Sequence, residues 1–294
     1  MTPVEFDFLR NFLKTRSGLV LSLDKQYLVE SRLLPVARNS KLETLSAVIQ
    51  ALKRGGNRQL ETDVIEAMTT NESFFFRDKT PFDNFRDTML PALLQSRSSF
   101  KQLKIWCAAA SSGQEPYSLG ICLKEEAAKM PGWRTRILGT DLSLEVLEKA
   151  KAGLYSQFEV QRGLPIQLLL KYFEQKGEMW QIDAGLRSMI EWKKLNLLDS
   201  FSQLGEFDIV FCRNVLIYFD QATKSDILAR LAKSVPEDGY LVLGAAETVV
   251  GLTEAFKPVP GKRGLFQKKA AAQSATGSGS GVRLVAGGAV GLRR

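Results

Sequence analysis

A chain of 294 residues can bury a full hydrophobic core, and its length predicts one medium domain with a smaller companion. It contains no histidine, which excludes an imidazole base, a Ser-His-Asp relay and histidine-ligated metal, and no stretch reaches the roughly 18 apolar residues of a membrane span. The net charge of +8 invites a nucleic-acid reading, but residues 257–294 hold eight basic residues and no acid, so residues 1–256 balance.

Ten basic residues against five acidic ones in the first 60 leave room for a basic N-terminal patch. Cys107, Cys122 and Cys212 stand apart in apolar segments, which predicts buried thiols, no disulfide and a cytoplasmic location. Thr2, Pro3 and Glu5 form a capping box ahead of a first helix that Gly18 stops. A second helix is expected over 24–36, with Tyr27, Leu28 and Leu34 inward and Lys25 and Arg32 on a polar side. Ser40 and Glu43 suggest the cap of a third helix ending near Gly55, and a fourth spans 58–68. Together they predict a helical domain over 1–70.

Residues 71–90 read as a linker and connecting helix, with Phe74, Phe75 and Phe76 either plugging the join between domains or also closing over a ligand. From 91 to 269 the pattern is βαβ, with strands at 103–107, 136–138, 190–195, 207–211 and 240–243. That predicts a parallel, doubly wound sheet whose ligands sit at the carboxyl ends of the strands. The rhythm breaks over 153–192, where segments 179–182 and 189–193 suggest a hairpin turning at Asp183, Ala184 and Gly185. Residues 270–294 have the composition of a disordered Gly/Ser-rich tail.

The first strand runs into small residues, Ala108 to Gly113, then Gln114, Glu115 and Pro116. Small side chains admit a ligand to the backbone, yet this is neither the dinucleotide fingerprint nor a Walker loop. Asp141 ends the second strand, where an acid can receive ribose hydroxyls or simply cap a helix. Asn196 with Leu197, and Arg213 to Phe219, follow two further strands, so four strand ends converge on one cleft.

Those segments, Asn71 to Arg77, Cys107 to Ser118, Gly139 to Asp141, Asn196 with Leu197, and Cys212 to Asp220, resemble in order and spacing the chemotaxis receptor methyltransferases, the CheR family. The resemblance covers residues 3–269. It implies a Rossmann-like α/β S-adenosylmethionine-dependent methyltransferase domain with a small N-terminal helical domain and an inserted β-hairpin subdomain. It also implies transfer of methyl to glutamate carboxylates on the cytoplasmic helical bundle of methyl-accepting receptors, with S-adenosylhomocysteine as product, no metal, and recruitment to membrane receptor arrays. By the same resemblance Asn71, Ser73, Arg77, Ala109, Glu115, Asp141, Asn196, Leu197, Arg213 and Asn214 are cofactor positions, with Arg77 and Tyr218 facing the transfer site. The family often has threonine where this chain has Ser73. Lys25, Arg32 and Arg38 correspond to its basic receptor-docking helix, and the short 174–179 connection resembles members that need no receptor pentapeptide tether. A nucleic-acid methyltransferase and a non-enzymatic cofactor-sensing adaptor are the competing readings.

Overall fold

The computed structural model describes residues 1–269, so the expected tail at 270–294 lies outside the described residues. Helix α1 (Pro3–Ser17) begins with the capping box: Thr2 N donates to Glu5 Oε2 at 2.7 Å and Glu5 N to Thr2 Oγ1 at 3.3 Å. These bonds satisfy donors that the first turn of any helix leaves without carbonyl partners. Helices α2 (Gln26–Asn39), α3 (Leu45–Arg54) and α4 (Arg58–Met68) complete the N-terminal unit around Leu9, Leu13, Val29, Leu33, Ile49 and Val64.

Two expectations here are corrected. Tyr27 and Leu34 are exposed, and Leu28 is only half-buried; the face that α2 buries is Val29, Leu33, Val36 and Ala37. Its apolar residues form two stripes, and packing against α3 and α4 selects the aliphatic one, leaving the Tyr27 ring beside Lys25. The cap of α3 is Thr44, whose hydroxyl accepts from Ala47 N at 3.1 Å, while Ser40 closes α2.

After the linker, α5 (Thr80–Asn84), a π-helical turn (Phe85–Met89) and α6 (Leu90–Ser96) run as one helical stretch. The sheet domain then alternates β1 (Gln102–Ala108), α7 (Gln114–Glu125), β2 (Arg134–Asp141) and α8 (Leu144–Ala152). An insertion follows, with β3 (Leu154–Ser156), α9 (Gln157–Gln161), α10 (Ile166–Tyr172), β4 (Phe173–Lys176), β5 (Met179–Ile182) and α11 (Ala184–Arg187). The main sheet resumes with β6 (Ile190–Lys194), β7 (Ile209–Cys212), α12 (Gln221–Lys233), β8 (Tyr240–Leu243), β9 (Phe256–Pro258) and β10 (Leu265–Lys268).

The main sheet has the order β6-β2-β1-β7-β8-β10-β9, parallel from β6 to β8 and antiparallel where β10 pairs with β8 and with β9. The expected all-parallel sheet is therefore mixed, and β9 and β10 were not anticipated. Both faces are covered: Ile105 and Cys107 of β1 enter one core layer, Trp106 and Ala108 the other. The order reverses at β1, between β2 and β7, and that is where doubly wound sheets open a crevice.

The hairpin is real but pairs differently from the expectation. β4 and β5 turn at Gly177 and join β3 in a separate sheet of order β3-β5-β4. Asp183 is no turn residue; its carboxylate caps α11 by accepting from Leu186 N at 3.1 Å. Ile190–Lys194 is the edge strand of the main sheet, in parallel register with β2, so the excursion ends before Ile190. Period-two alternation marks a strand without naming its partner, which is why the two were confused.

Candidate active site

The carboxyl ends of β1, β2, β6 and β7 open into a cleft whose remaining side is the linker and the end of α1. Its wall contains Asn71, Ser73, Arg77, Ala109, Glu115, Asp141, Asn196, Leu197, Arg213, Asn214 and Tyr218. Residues separated by nearly the whole chain thus share one surface.

The loop after β1 is held in an uncommon shape. Ala109 and Ser111 have φ of 80° and 50°, and Ala109 N and Ala110 N both donate to Thr140 O, at 2.9 and 2.8 Å. Non-glycine residues tolerate such conformations only where neighbours enforce them. Asp141 adds to the hold: Oδ2 accepts from Ser111 N at 2.8 Å and Oδ1 from Ser143 N at 3.0 Å. Burial raises the Asp141 carboxyl above its ordinary range, although these N–H groups pull it down. The carboxylate as a whole keeps acceptor capacity for a further donor.

Across the cleft, Arg213 Nη1 meets Glu115 Oε2 at 2.6 Å and Nη2 meets Asp78 Oδ2 at 2.7 Å. Nη2 also donates to Arg77 O at 3.0 Å. The guanidinium is 2% exposed, and its Nε is buried without a hydrogen-bond partner. Burial lifts the Glu115 carboxyl above the usual carboxylate range, with Arg213 opposing it. Arg213 also stabilises the linker, where Phe76, Asp78 and Lys79 all have positive φ. Phe75 is fully buried, edge-on to Tyr155 and Phe173, so it packs into the core of the sheet domain and its insertion rather than against the N-terminal helices. Phe74 lies under Arg77 and Arg162, and Arg77 Nη1 donates to Glu72 O at 2.7 Å.

Sequence reasoning missed that α1 reaches this site. Ser17 and Leu19 line the cleft, and Val20 N donates to Tyr218 O at 2.9 Å. Gly18 makes that turn possible: its φ is 78°, and a Cβ there would lie 2.8 Å from the Phe219 ring. Gly18 thus both ends α1 and lets the chain pass close to Phe219. Lys14 pairs with Asp220 at 2.7 Å, and Asn196 Nδ2 donates to Arg16 O at 2.7 Å, so the Asn196 amide holds α1 as well as lining the cleft.

The three basic docking candidates do not line the cleft. Arg38 is exposed and Lys25 half-buried, while Arg32 donates to Met68 O, Thr69 O and Thr70 Oγ1 at 2.8 to 3.1 Å. Arg32 therefore also holds the end of α4, just ahead of the linker. The three cysteines are buried, and burial pushes each thiol up, Cys122 to about 12. Among the described residues no helix is long and apolar enough to cross a membrane.

Comparison with known proteins agrees with this architecture. The CheR methyltransferase SAM binding domain matches residues 71–265, and the CheR methyltransferase all-alpha domain matches 4–69. Chemotaxis protein methyltransferase 1 of Vibrio cholerae is 40% identical over 265 residues, covering 89% of this chain and 95% of that protein. Chemotaxis protein methyltransferase 1 of Pseudomonas aeruginosa is 41% identical over 270 residues, covering 90% and 97%. With both domains matched and that identity spanning most of its length, the chain belongs to the CheR family of S-adenosylmethionine-dependent methyltransferases.

Proposed function

We propose that the chain esterifies glutamate side chains on the cytoplasmic helical bundle of methyl-accepting chemotaxis receptors, working in the cytoplasm at receptor arrays and releasing S-adenosylhomocysteine. The observation that supports this reading best is that Arg77 and Tyr218 line one and the same cleft in a chain that has no histidine. A substrate glutamate, with an ordinary pKa of about 4.3, is already ionised at neutral pH and needs no base. Arg77 can hold that carboxylate by a charge-assisted fork, and Tyr218 can donate one hydrogen bond that directs the attacking oxygen. Bound S-adenosylmethionine supplies a methyl group activated on a sulfonium. The protein contributes orientation and exclusion of water.

The donor set fits such a cofactor. Asp141 offers acceptor capacity toward a ribose diol. Asn71, Ser73, Ala109, Glu115, Asn196, Leu197 and Asn214 complete the binding surface in this reading. Asp141→Ala is expected to weaken cofactor affinity tenfold or more, about 1.4 kcal/mol, while circular dichroism reports an intact fold. Calorimetry finding unchanged affinity would remove that assignment.

For the receptor, Lys25, just ahead of α2, and Arg32 and Arg38 on α2 are the candidate docking charges, with Arg32 also holding the end of α4. The β4–β5 hairpin turns within a few residues around Gly177, in keeping with a protein that needs no pentapeptide tether. The test is to incubate the chain with methyl-labelled cofactor and receptor cytoplasmic domains, with and without their C-terminal pentapeptides. Alkali-labile label on glutamates, formed at similar rates on both, is expected. No label on any receptor despite tight cofactor binding would overturn the substrate assignment.

A further inference from the structure

The loop between β7 and α12 carries Asn214 and Tyr218, and its shape is set from outside the cleft. Asn214 adopts a left-handed conformation, φ 58°, and its own N–H and the next two find a common acceptor. They converge on one carboxylate. Glu247 Oε2 accepts from Asn214 N at 2.8 Å, and Oε1 accepts from Val215 N at 2.9 Å and Leu216 N at 2.8 Å. Gly244 N adds a fourth bond to Oε2 at 2.7 Å.

An ionised carboxylate has about four acceptor sites, so main-chain donors fill Glu247 completely. Consecutive N–H groups around a left-handed residue form an anion-binding nest, and here the anion is built into the protein. Gly244 permits the approach, because a Cβ there would lie 2.7 Å from Glu247 Oε2 and 3.0 Å from Asn214 N. Glu247 itself does not line the cleft. The far end of the same loop is fixed by α1, through Val20 N to Tyr218 O and Lys14 to Asp220. The near end depends on Glu247, and the short 3₁₀ turn Leu216–Tyr218 starts at a residue whose N–H it holds.

We propose that Glu247 is a positioning residue for methyl transfer: its carboxylate sets the loop that presents Asn214 to the cofactor and Tyr218 to the acceptor carboxylate. The inference rests on the functional reading above. A glutamine cannot replace it, because its amide NH₂ would face main-chain donors, whereas aspartate keeps the charge on a shorter arm.

The test measures single-turnover transfer at saturating cofactor and receptor, with calorimetric S-adenosylhomocysteine affinity, for Glu247→Gln, Glu247→Asp, Tyr218→Phe and the Glu247→Gln/Tyr218→Phe double variant. Glu247→Gln is expected to slow transfer about tenfold and weaken S-adenosylhomocysteine binding severalfold, with Glu247→Asp recovering part of both. In the double variant, Tyr218→Phe should cost little further, because its hydroxyl is already misplaced. Independent, multiplying losses, or Glu247→Gln with parental rate and affinity, would overturn the proposal. Should Glu247→Gln not fold, Glu247→Asp and its Tyr218→Phe double variant carry the same comparison. A parental protein that binds cofactor yet makes no ester would instead overturn the functional reading, and parental S-adenosylhomocysteine affinity in the Glu247 variants would then decide against the loop role.

Discussion

Arg213→Met is expected to destabilise the protein by about 3–5 kcal/mol at pH 8 and to abolish measurable cofactor binding, the cost associated with breaking a buried ion pair from one side. The substitution keeps the side-chain bulk but leaves Glu115 buried without its partner at 2.6 Å. It also frees Arg77 O and Asp78 from the linker side of the cleft. The loss should shrink at pH 5. Burial already raises the Glu115 carboxyl with Arg213 present, and removing the guanidinium raises it further. A group whose folded pKa lies above its unfolded one contributes stability below the unfolded value and loses it as pH rises through the folded value. Acidification therefore lets Glu115 take up a proton in the folded variant and recover part of the deficit. Urea unfolding at the two pH values measures this, and an equal loss at both would show that Glu115 is not the group left stranded.

Tyr218→Phe should slow methyl transfer about tenfold, corresponding to ~1.4 kcal/mol of transition-state stabilisation, while leaving most cofactor affinity intact. The ring stays in its half-buried place on the loop, and its main-chain O still accepts from Val20 N. Only the hydroxyl proposed to orient the incoming carboxylate is removed. Arg77→Ala should be broader in effect, lowering turnover and also weakening cofactor binding. Its guanidinium both lines the cleft and anchors the linker through Glu72 O and the face of Phe74. Single-turnover transfer with saturating cofactor and receptor separates the two. If both variants fold and react at the parental rate, the orienting pair is wrong, whatever the substrate.

The coupling of the N-terminal helices to the transfer site follows from these contacts. Receptor binding on α2 would act on an element whose Arg32 holds the carbonyls of Met68 and Thr69 at the end of α4, and α1 and the turn after it touch the Tyr218 loop through Lys14 and Val20. In this reading the helical unit is a part of the active-site wall as well as a docking module.

Features that depend on neighbours along the chain were legible in the sequence. The Thr2–Glu5 capping box, the helix Arg58–Met68 and the strand Tyr240–Leu243 follow from local hydrogen-bond demand and apolar periodicity. The strand-end segments holding Glu115, Asp141, Asn196 and Asn214 could be placed on one edge, because a parallel sheet brings successive carboxyl ends together. Pairing between distant segments was decided only by the tertiary structure. Alternation in 189–193 does not say whether Ile190 pairs with β2 or with a hairpin, and two apolar stripes on α2 do not say which one α3 and α4 will cover. The same limit hid Ser17, Leu19 and Glu247: a helix end and a carboxylate after β8 acquire their roles only when the fold sets them against the Tyr218 loop. Long-range packing and the convergence of four main-chain donors on one side chain are properties of the assembled backbone, and no local pattern encodes them.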